Sequence, residues 1–305
     1  MTQVEAATDE ARKAMVDELV RRRLICTPAV ERAFRRVRRH AFMMPPYAVA
    51  SDALAQEFVE TDDPCRVYAD VTVAIRREQN IHCLQPGLIA RQLEALAVGE
   101  GMRALHIETA HGYATALLAE LVGERGSVVG VEYDEDIAER GAALLAQAGY
   151  TTVTVRSGDG AAGVPEAAPF DRILVSAGAA DIAPTWVDQL GDEGRLVLPL
   201  CHVGPLGPSV SGGVMLSLEK ADGRLTGSIC SAAVLVPLHG MLQPEREDSL
   251  TLAEGLQRWF ALEEFYRTDL PIRIVMKSGA EHFPNAAAVP WYLETRNAVM
   301  WVEPN

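Results

Sequence analysis

Cysteine is sparse in this chain, and its spacing shows no pattern. Five residues, Cys26, Cys65, Cys83, Cys201 and Cys230, are spread over 305 positions with no CxxC pair. An odd, dispersed set excludes a disulfide framework and suits a reducing cytoplasm. Long apolar runs are missing as well. No stretch reaches the roughly 18 uninterrupted apolar residues of a membrane span, so no membrane partner is expected. The opening Met1–Arg12 is polar and acidic, without the apolar centre of a secretory signal, so export is not expected. Basic charge is short: 28 Lys and Arg stand against 42 Asp and Glu, for a net charge of −14. Nucleic acid, which needs phosphate-neutralising side chains, is therefore not an expected partner. Repeats and low-complexity tracts are absent too, and nothing in the chain indicates an oligomeric state.

What is present is the composition of a folded protein, 49% apolar and 23% charged, in a chain long enough to bury a core without staples. One local basic run, Arg21, Arg22, Arg23, Arg32, Arg35, Arg36, Arg38 and Arg39, is read either as the solvated face of two helices or as a docking face for an acidic peptide. Apolar periodicity predicts those helices over Glu10–Arg23 and Thr27–Arg38, the second capped by Thr27-Pro28. Ser51–Gln79 is irregular, with Val71–Ile75 suited to an edge strand or a lid.

From Gln85 the pattern becomes regular. Helices are expected at Pro86–Ala97, after Thr109–Tyr113 as far as Val122, at Glu135–Ala148 and near Pro184–Leu190. They alternate with strands at Ala104–Ile107, Ser127–Val131, Thr152–Val155, Arg172–Ser176 and Arg195–Pro199. Such alternation builds βαβ units and a doubly wound, mostly parallel α/β sheet. Gly204–Gly213 reads as a loop, and Val214–Leu218 and Leu225–Val236 as closing antiparallel strands. An amphipathic helix, Leu250–Tyr266, and strands at Ile272–Lys277 and Asn297–Val302 make up the tail. The expected organisation is an N-terminal helical cap with substrate-side loops over residues 1–84, a Rossmann-like core over 85–243, and a C-terminal accessory segment over 244–305.

Ligands of an open parallel sheet bind at the carboxyl ends of its strands. The first strand ends at Glu108–Gly112. The second ends at Glu132, an acidic residue placed to accept from a ribose diol or merely to close a strand. The third runs into Gly158-Asp159-Gly160, where Asp159 could accept from an exocyclic amine or form an Asx-type turn.

The run GDGAAGVPEAAPFDRILVSAGAADIAPTWVDQLGDEGRLVLPL from Gly158 to Leu200 resembles the protein-L-isoaspartate O-methyltransferase family. So do RRHAFMMPPYA near Arg38–Ala48, the Gln85-Pro86 helix start and VVGVEYDEDIAERG from Val128. The resemblance runs from about Val30 to Leu200. The tail after Gly240 is similar to longer actinobacterial relatives found beside peptide natural-product genes. It implies a class I methyltransferase sheet, S-adenosylmethionine (SAM) as donor, and a peptide or small-molecule carboxylate as acceptor. By position, Glu132 would hold the ribose and Asp159 the adenine amine, with Gly158, Gly160, Gly112 and Thr109 around the cofactor. Leu84, Gln85, Tyr68 and Asp70 would face the acceptor.

The first-strand motif departs from that family. Where its consensus reads leucine-glutamate-isoleucine-glycine-threonine-glycine-serine-glycine-tyrosine, this chain has Leu105-His106-Ile107-Glu108-Thr109-Ala110-His111-Gly112-Tyr113. The threonine-isoleucine-serine before Gln-Pro is here His82-Cys83-Leu84. Glu108 places a carboxylate near the expected methionine carboxylate. The adenosine half of the site is kept and the methionine and acceptor half is rewritten. His106, Glu108, His111 and His82 are therefore candidate catalytic residues. Alternation along a strand puts His106 and Glu108 on one side. They read as an acid/base pair, as two histidines and a carboxylate of a metal site, or as a polar pocket lining; no metal is assigned. The expected function is a SAM-dependent carboxyl O-methyltransferase in natural-product biosynthesis. The alternatives are a non-methylating relative doing isomerisation, elimination or cyclisation, and a non-catalytic binding partner.

Overall fold

A computed structural model describes residues 2–51, 55, 57–205, 211–222 and 224–241, and the strand residues 271–276, 292–294 and 298–302. Its packing divides the chain into two compact units, Met1–Gly158 and Asp159–Asn305. The expected helix at Leu250–Tyr266 lies outside the described residues.

The first unit opens with α1 (Gln3–Arg21) and α2 (Pro28–Arg36). α1 starts seven residues before the apolar periodicity does, because Thr2 and Glu5 form a capping box. The Thr2 hydroxyl accepts from the Glu5 N–H and the Glu5 carboxylate accepts from the Thr2 N–H. Thr27 caps α2 as expected. Met15, Val16 and Leu19 of α1 and Val30, Ala33 and Phe34 of α2 are buried, and α2 packs on α4 (Tyr113–Val122).

Strands β1 (Tyr47–Ala50), β2 (Phe58–Thr61), β3 (Val73–Arg76) and β4 (Ile81–Cys83) form an antiparallel sheet in the order β2-β1-β3-β4. The Val71–Ile75 stretch thus contributes an inner strand, paired on both sides, rather than an edge. The parallel part follows: α3 (Pro86–Leu96), β5 (Arg103–Ile107), α4, β6 (Ser127–Glu132), α5 (Glu135–Gln147) and β7 (Val153–Ser157). β5, β6 and β7 run parallel, with His106 opposite Gly130 and Gly130 opposite Val155. The near-continuous burial of β5 and β6 is that of strands covered on both faces, whereas β7 alternates between half-buried and exposed positions.

In the second unit β8 (Phe170–Val175) runs parallel to β9 (Leu190–Pro205), joined through α6 (Pro184–Gln189). β10 (Ser211–Ala221) and β11 (Arg224–Leu235) continue antiparallel. β12 (Pro271–Met276), β13 (Tyr292–Glu294) and β14 (Ala298–Val302) extend the ladder in the order β11-β12-β14-β13. Much of the expected Gly204–Gly213 loop is strand. Gly212 and Gly213 pair with Val203 and Cys201 across register shifts. A Cβ on Gly213 would lie 1.9 Å from the Leu200 carbonyl oxygen, so this glycine permits a close strand approach.

Candidate active site

The loop leaving β5 shapes the site. Glu108, Ala110 and Gly112 adopt φ of +63°, +47° and +93°, three left-handed residues in five positions. Only one of them is a glycine, so the chain keeps a glycine-type course with side chains on it.

Neighbours hold that course. Glu132, 1% exposed at the end of β6, accepts the Ala110 N–H at 2.7 Å on one oxygen and the Asp134 N–H at 3.4 Å on the other. The Glu108 N–H donates to the Val131 carbonyl at 2.9 Å, and the Gly158 N–H to the Glu132 carbonyl at 2.9 Å. The loops leaving β5, β6 and β7 are laced together at the carboxyl ends of the strands. Asp134 caps α5 by accepting from the Ile137 N–H and pairs with Arg76 at 2.9 Å. Thr109 is buried with its hydroxyl lacking a hydrogen-bond partner among the described residues.

On the cap side one buried arginine organises the backbone. Arg39, fully enclosed, donates to the carbonyls of Val67, Ala69, Val71 and Leu84 and lies over the Tyr113 ring at 5.6 Å. It thereby ties the Tyr68–Asp70 turn, the β4–α3 junction and the start of α4 to one planar group, through two terminal nitrogens set in a fixed fork that lysine cannot copy. Nothing in its neighbourhood in the sequence singled it out from the rest of the arginine run. Other members of that run pair with carboxylates: Arg21 with Glu18, Arg22 with Asp70, Arg35 with Asp17 and Glu31, and Arg36 with Glu120.

A family model for protein-L-isoaspartate(D-aspartate) O-methyltransferase matches residues 10–243. The chain belongs to this family. The protein-L-isoaspartate O-methyltransferase 2 of Archaeoglobus fulgidus is 32% identical, over 76% of this chain and 94% of the relative. That of Opitutus terrae is 36% identical, over 72% and 83%. A solved protein-L-isoaspartate O-methyltransferase superposes with TM-score 0.59 at 26% identity, over 76% of this chain and 67% of that one. A Plasmodium falciparum relative solved with S-adenosyl-L-homocysteine (SAH) gives 0.55 at 18% identity, over 79% and 98%, and speaks for the fold alone. The fold is the α/β class I methyltransferase sheet, and the chain is a SAM-dependent O-methyltransferase.

The four candidate catalytic residues stand in different local surroundings. His106 is fully buried, with Nδ1 2.9 Å from the Thr115 hydroxyl of α4. Burial pushes its pKa down to about 3, so it is a neutral core histidine. Glu108 lies beyond the end of β5, on the left-handed turn, so strand alternation does not relate it to His106. His111 hydrogen-bonds the Phe42 backbone and so ties the loop to the cap. Burial lowers its pKa to about 4, opposed by that backbone bond and helped by Arg140 and Arg76. It also lines an open cavity of about 690 Å³ between α5 and the cap, with Met44, Ile75, Arg76 and Arg140. His82 of β4 packs its ring on Phe58, centroids 5.2 Å apart, and burial takes its pKa to about 4. Among the described residues no three His, Cys, Asp or Glu side chains gather as a metal site.

The acceptor-side candidates cluster around Arg39 and α3. Leu84 is buried with its carbonyl on Arg39, and Gln85 is the residue before α3. Asp70 accepts the Gly87 N–H at 2.6 Å in the first turn of that helix. Tyr68 bonds His40 through its hydroxyl at 2.8 Å, and burial raises its pKa to about 12. In the second unit the Asp159 carboxylate accepts from the Ala161 N–H, and the Gly160 carbonyl accepts from the Trp186 indole at 2.8 Å.

SAM is tested against these residues by three observations. The loop backbone follows a glycine-type path, the Glu132 carboxylate stands buried at the end of the second parallel strand, and an orphaned Thr109 hydroxyl lies on the loop itself, between Glu108 and Ala110 in sequence. The residues fit the group.

Proposed function

We propose that the chain transfers the methyl of SAM to a carboxylate of a peptide or small-molecule acid. Glu132, buried at the end of β6, would accept from the ribose hydroxyls, and Asp159 from the adenine amine. Thr109 and the turn ending at Gly112 would hold the methionine end, and Gly158 and Gly160 would let backbone approach the base. Bound SAM supplies an electrophilic methyl on a sulfonium. The protein's own contribution is alignment, since a carboxylate acceptor is already ionised and needs no base. Leu84, Gln85, Tyr68 and Asp70 would border the acceptor, their backbone set by Arg39.

The observation that carries this reading is the retained left-handed course at Glu108, Ala110 and Gly112, tied to a buried Glu132. A proton-transfer reading gains no comparable support, because His106 is enclosed against Thr115. A place in natural-product biosynthesis draws on the resemblance of the segment beyond residue 243, where the family match stops. No helix of the described residues is long and apolar enough to cross a membrane; a cytoplasmic, water-borne acceptor is the corresponding proposal.

Titration calorimetry with SAM and SAH tests the donor side, and base-labile methyl incorporation into isoaspartyl peptides and small acids tests the acceptor side. Micromolar SAH binding that Glu132→Ala abolishes is the expected result. No heat at millimolar ligand, with the protein folded, refutes the reading.

A further inference from the structure

After β11 the chain crosses back over the second unit as a strap, residues 236–241. Two bonds pin its start: the Gly178 N–H donates to the Val236 carbonyl and the Leu238 N–H to the Gly178 carbonyl, each at 2.8 Å. Leu238 is fully buried, which anchors the strap between those bonds and its exposed end at Met241. Gly240 then turns the backbone at φ +92°. The Met241 N–H arrives 2.8 Å from Asp159 Oδ2, while Oδ1 accepts the Ala161 N–H at 2.8 Å. The fit around Gly240 is tight. A Cβ there would come within 2.5–2.6 Å of all three terminal atoms of the Asp159 carboxyl group. So a left-handed φ and a close approach both demand glycine at this position.

We propose that this strap is a base-selecting element: the Met241 backbone N–H, delivered by Gly240, locks the Asp159 carboxylate in the orientation that accepts an exocyclic amine. The proposal rests on the assignment of Asp159 to the adenine amine. A carboxylate turns freely between broad terminal rotamers unless both oxygens are held. Its oxygens offer about four lone-pair directions, and two backbone donors leave two for a ligand N–H. Held in this way, the group repels a base that presents a carbonyl at the same position. An aspartate fixed on one side only could rotate away and tolerate it.

The test compares SAH with S-inosyl-L-homocysteine, in which the amine is replaced by a carbonyl, by calorimetry on the full chain. The native protein is expected to prefer SAH by 100-fold or more. Met241→Pro, which removes the donor without adding a Cβ at Gly240, should lower that preference about tenfold. Met241→Ala, which keeps the N–H, should leave it unchanged. Gly240→Ala should weaken SAH at least tenfold, with the melting temperature and near-ultraviolet dichroism reporting the fold. Unchanged preference in folded Met241→Pro overturns the proposal, as does tighter SAH binding, which would make the strap an obstruction. If Asp159→Asn alters neither affinity nor preference, the parent assignment of Asp159 has failed. If Asp159→Asn matters and neither strap variant does, only the strap's role has failed.

Discussion

Replacing the two side chains that sit on left-handed backbone in the loop after β5 should improve this protein. Ala110 at φ +47° and Glu108 at φ +63° occupy a region that costs an L-residue about 1–2 kcal/mol. Glycine escapes that cost, but its freer unfolded chain returns roughly 0.4–1 kcal/mol. The net for Ala110→Gly is therefore a stabilisation of about 0.8 kcal/mol, or roughly 1 °C in melting temperature for a chain of this size. Glu108→Gly carries the same backbone gain and also removes a charge from the loop expected to hold the methionine carboxylate of SAM. Half-exposed like charges there cost about 1 kcal/mol, so SAH affinity should rise roughly fivefold. Glu108→Gln separates the two effects, since it keeps the Cβ and drops the charge. Affinity should rise without the gain in melting temperature. Scanning calorimetry and SAH titration of the three variants provide the assay. If Ala110→Gly lowers the melting temperature, the strain argument is wrong. If Glu108→Gln leaves SAH affinity unchanged, the repulsion argument is wrong even where the strain argument survives.

Other outcomes follow from the same structure. Gly141→Ala in α5 should destabilise despite a helix-propensity gain of about 1 kcal/mol, because its Cβ would sit 2.9 Å from the Ala110 carbonyl oxygen; chemical denaturation with and without SAH checks both stability and the loop. Arg39→Lys leaves buried carbonyls short of donors and should cost about 3 kcal/mol, with a larger loss of methyl transfer than of SAH affinity if it positions the acceptor side. His82, His106 and His111 have folded pKa values near 4, 3 and 4, below the ordinary 6.5. The unfolded chain then binds more protons, so stability is complete above about pH 6.5 and falls as pH drops towards 4. His106→Asn should flatten that fall in melting temperature between pH 7 and 5, and an unchanged slope would count against it.

The parallel part of the fold was legible because each signal was local. Thr27-Pro28 caps α2, and each strand of the β5–β7 set falls within a residue or two of its apolar run. Signals that act at a distance were not. The capping box that starts α1 lies outside any apolar periodicity, and Gly213 looked like a loop residue although a neighbouring strand leaves no room there for a Cβ. The position of Glu132 at the end of β6 was legible because the end of a parallel strand is itself a place in the fold. Arg39 was not, since eight arginines look alike until one is enclosed by four carbonyls. The His106 and Glu108 pairing failed for a geometric reason. Alternation holds only while the backbone stays extended, and the chain turns left-handed at Glu108.

That same turn bears on how a glycine loop can outlast its glycines. Two of three left-handed positions carry a Cβ, yet the dihedral angles stay left-handed, so the shape is imposed from outside. Glu132 holds the Ala110 N–H. Gly130 on β6 leaves room for the Thr109 methyl, which a Cβ there would meet at 2.7 Å, and Gly141 on α5 leaves room for the Ala110 carbonyl. Gly112 receives Leu145 so closely that a Cβ would lie 2.8 Å from it. The small residues that make the loop possible now stand largely on its neighbours. Strain in a loop persists where its surroundings over-determine it, and here β6 and α5 supply that constraint. It follows that Gly130 should be less replaceable than Ala110. Gly130→Ala pushes on the Thr109 side chain from a rigid strand and should weaken SAH binding, whereas Ala110→Gly relieves strain and preserves it. Equal tolerance at both positions would mean that the loop holds its own shape.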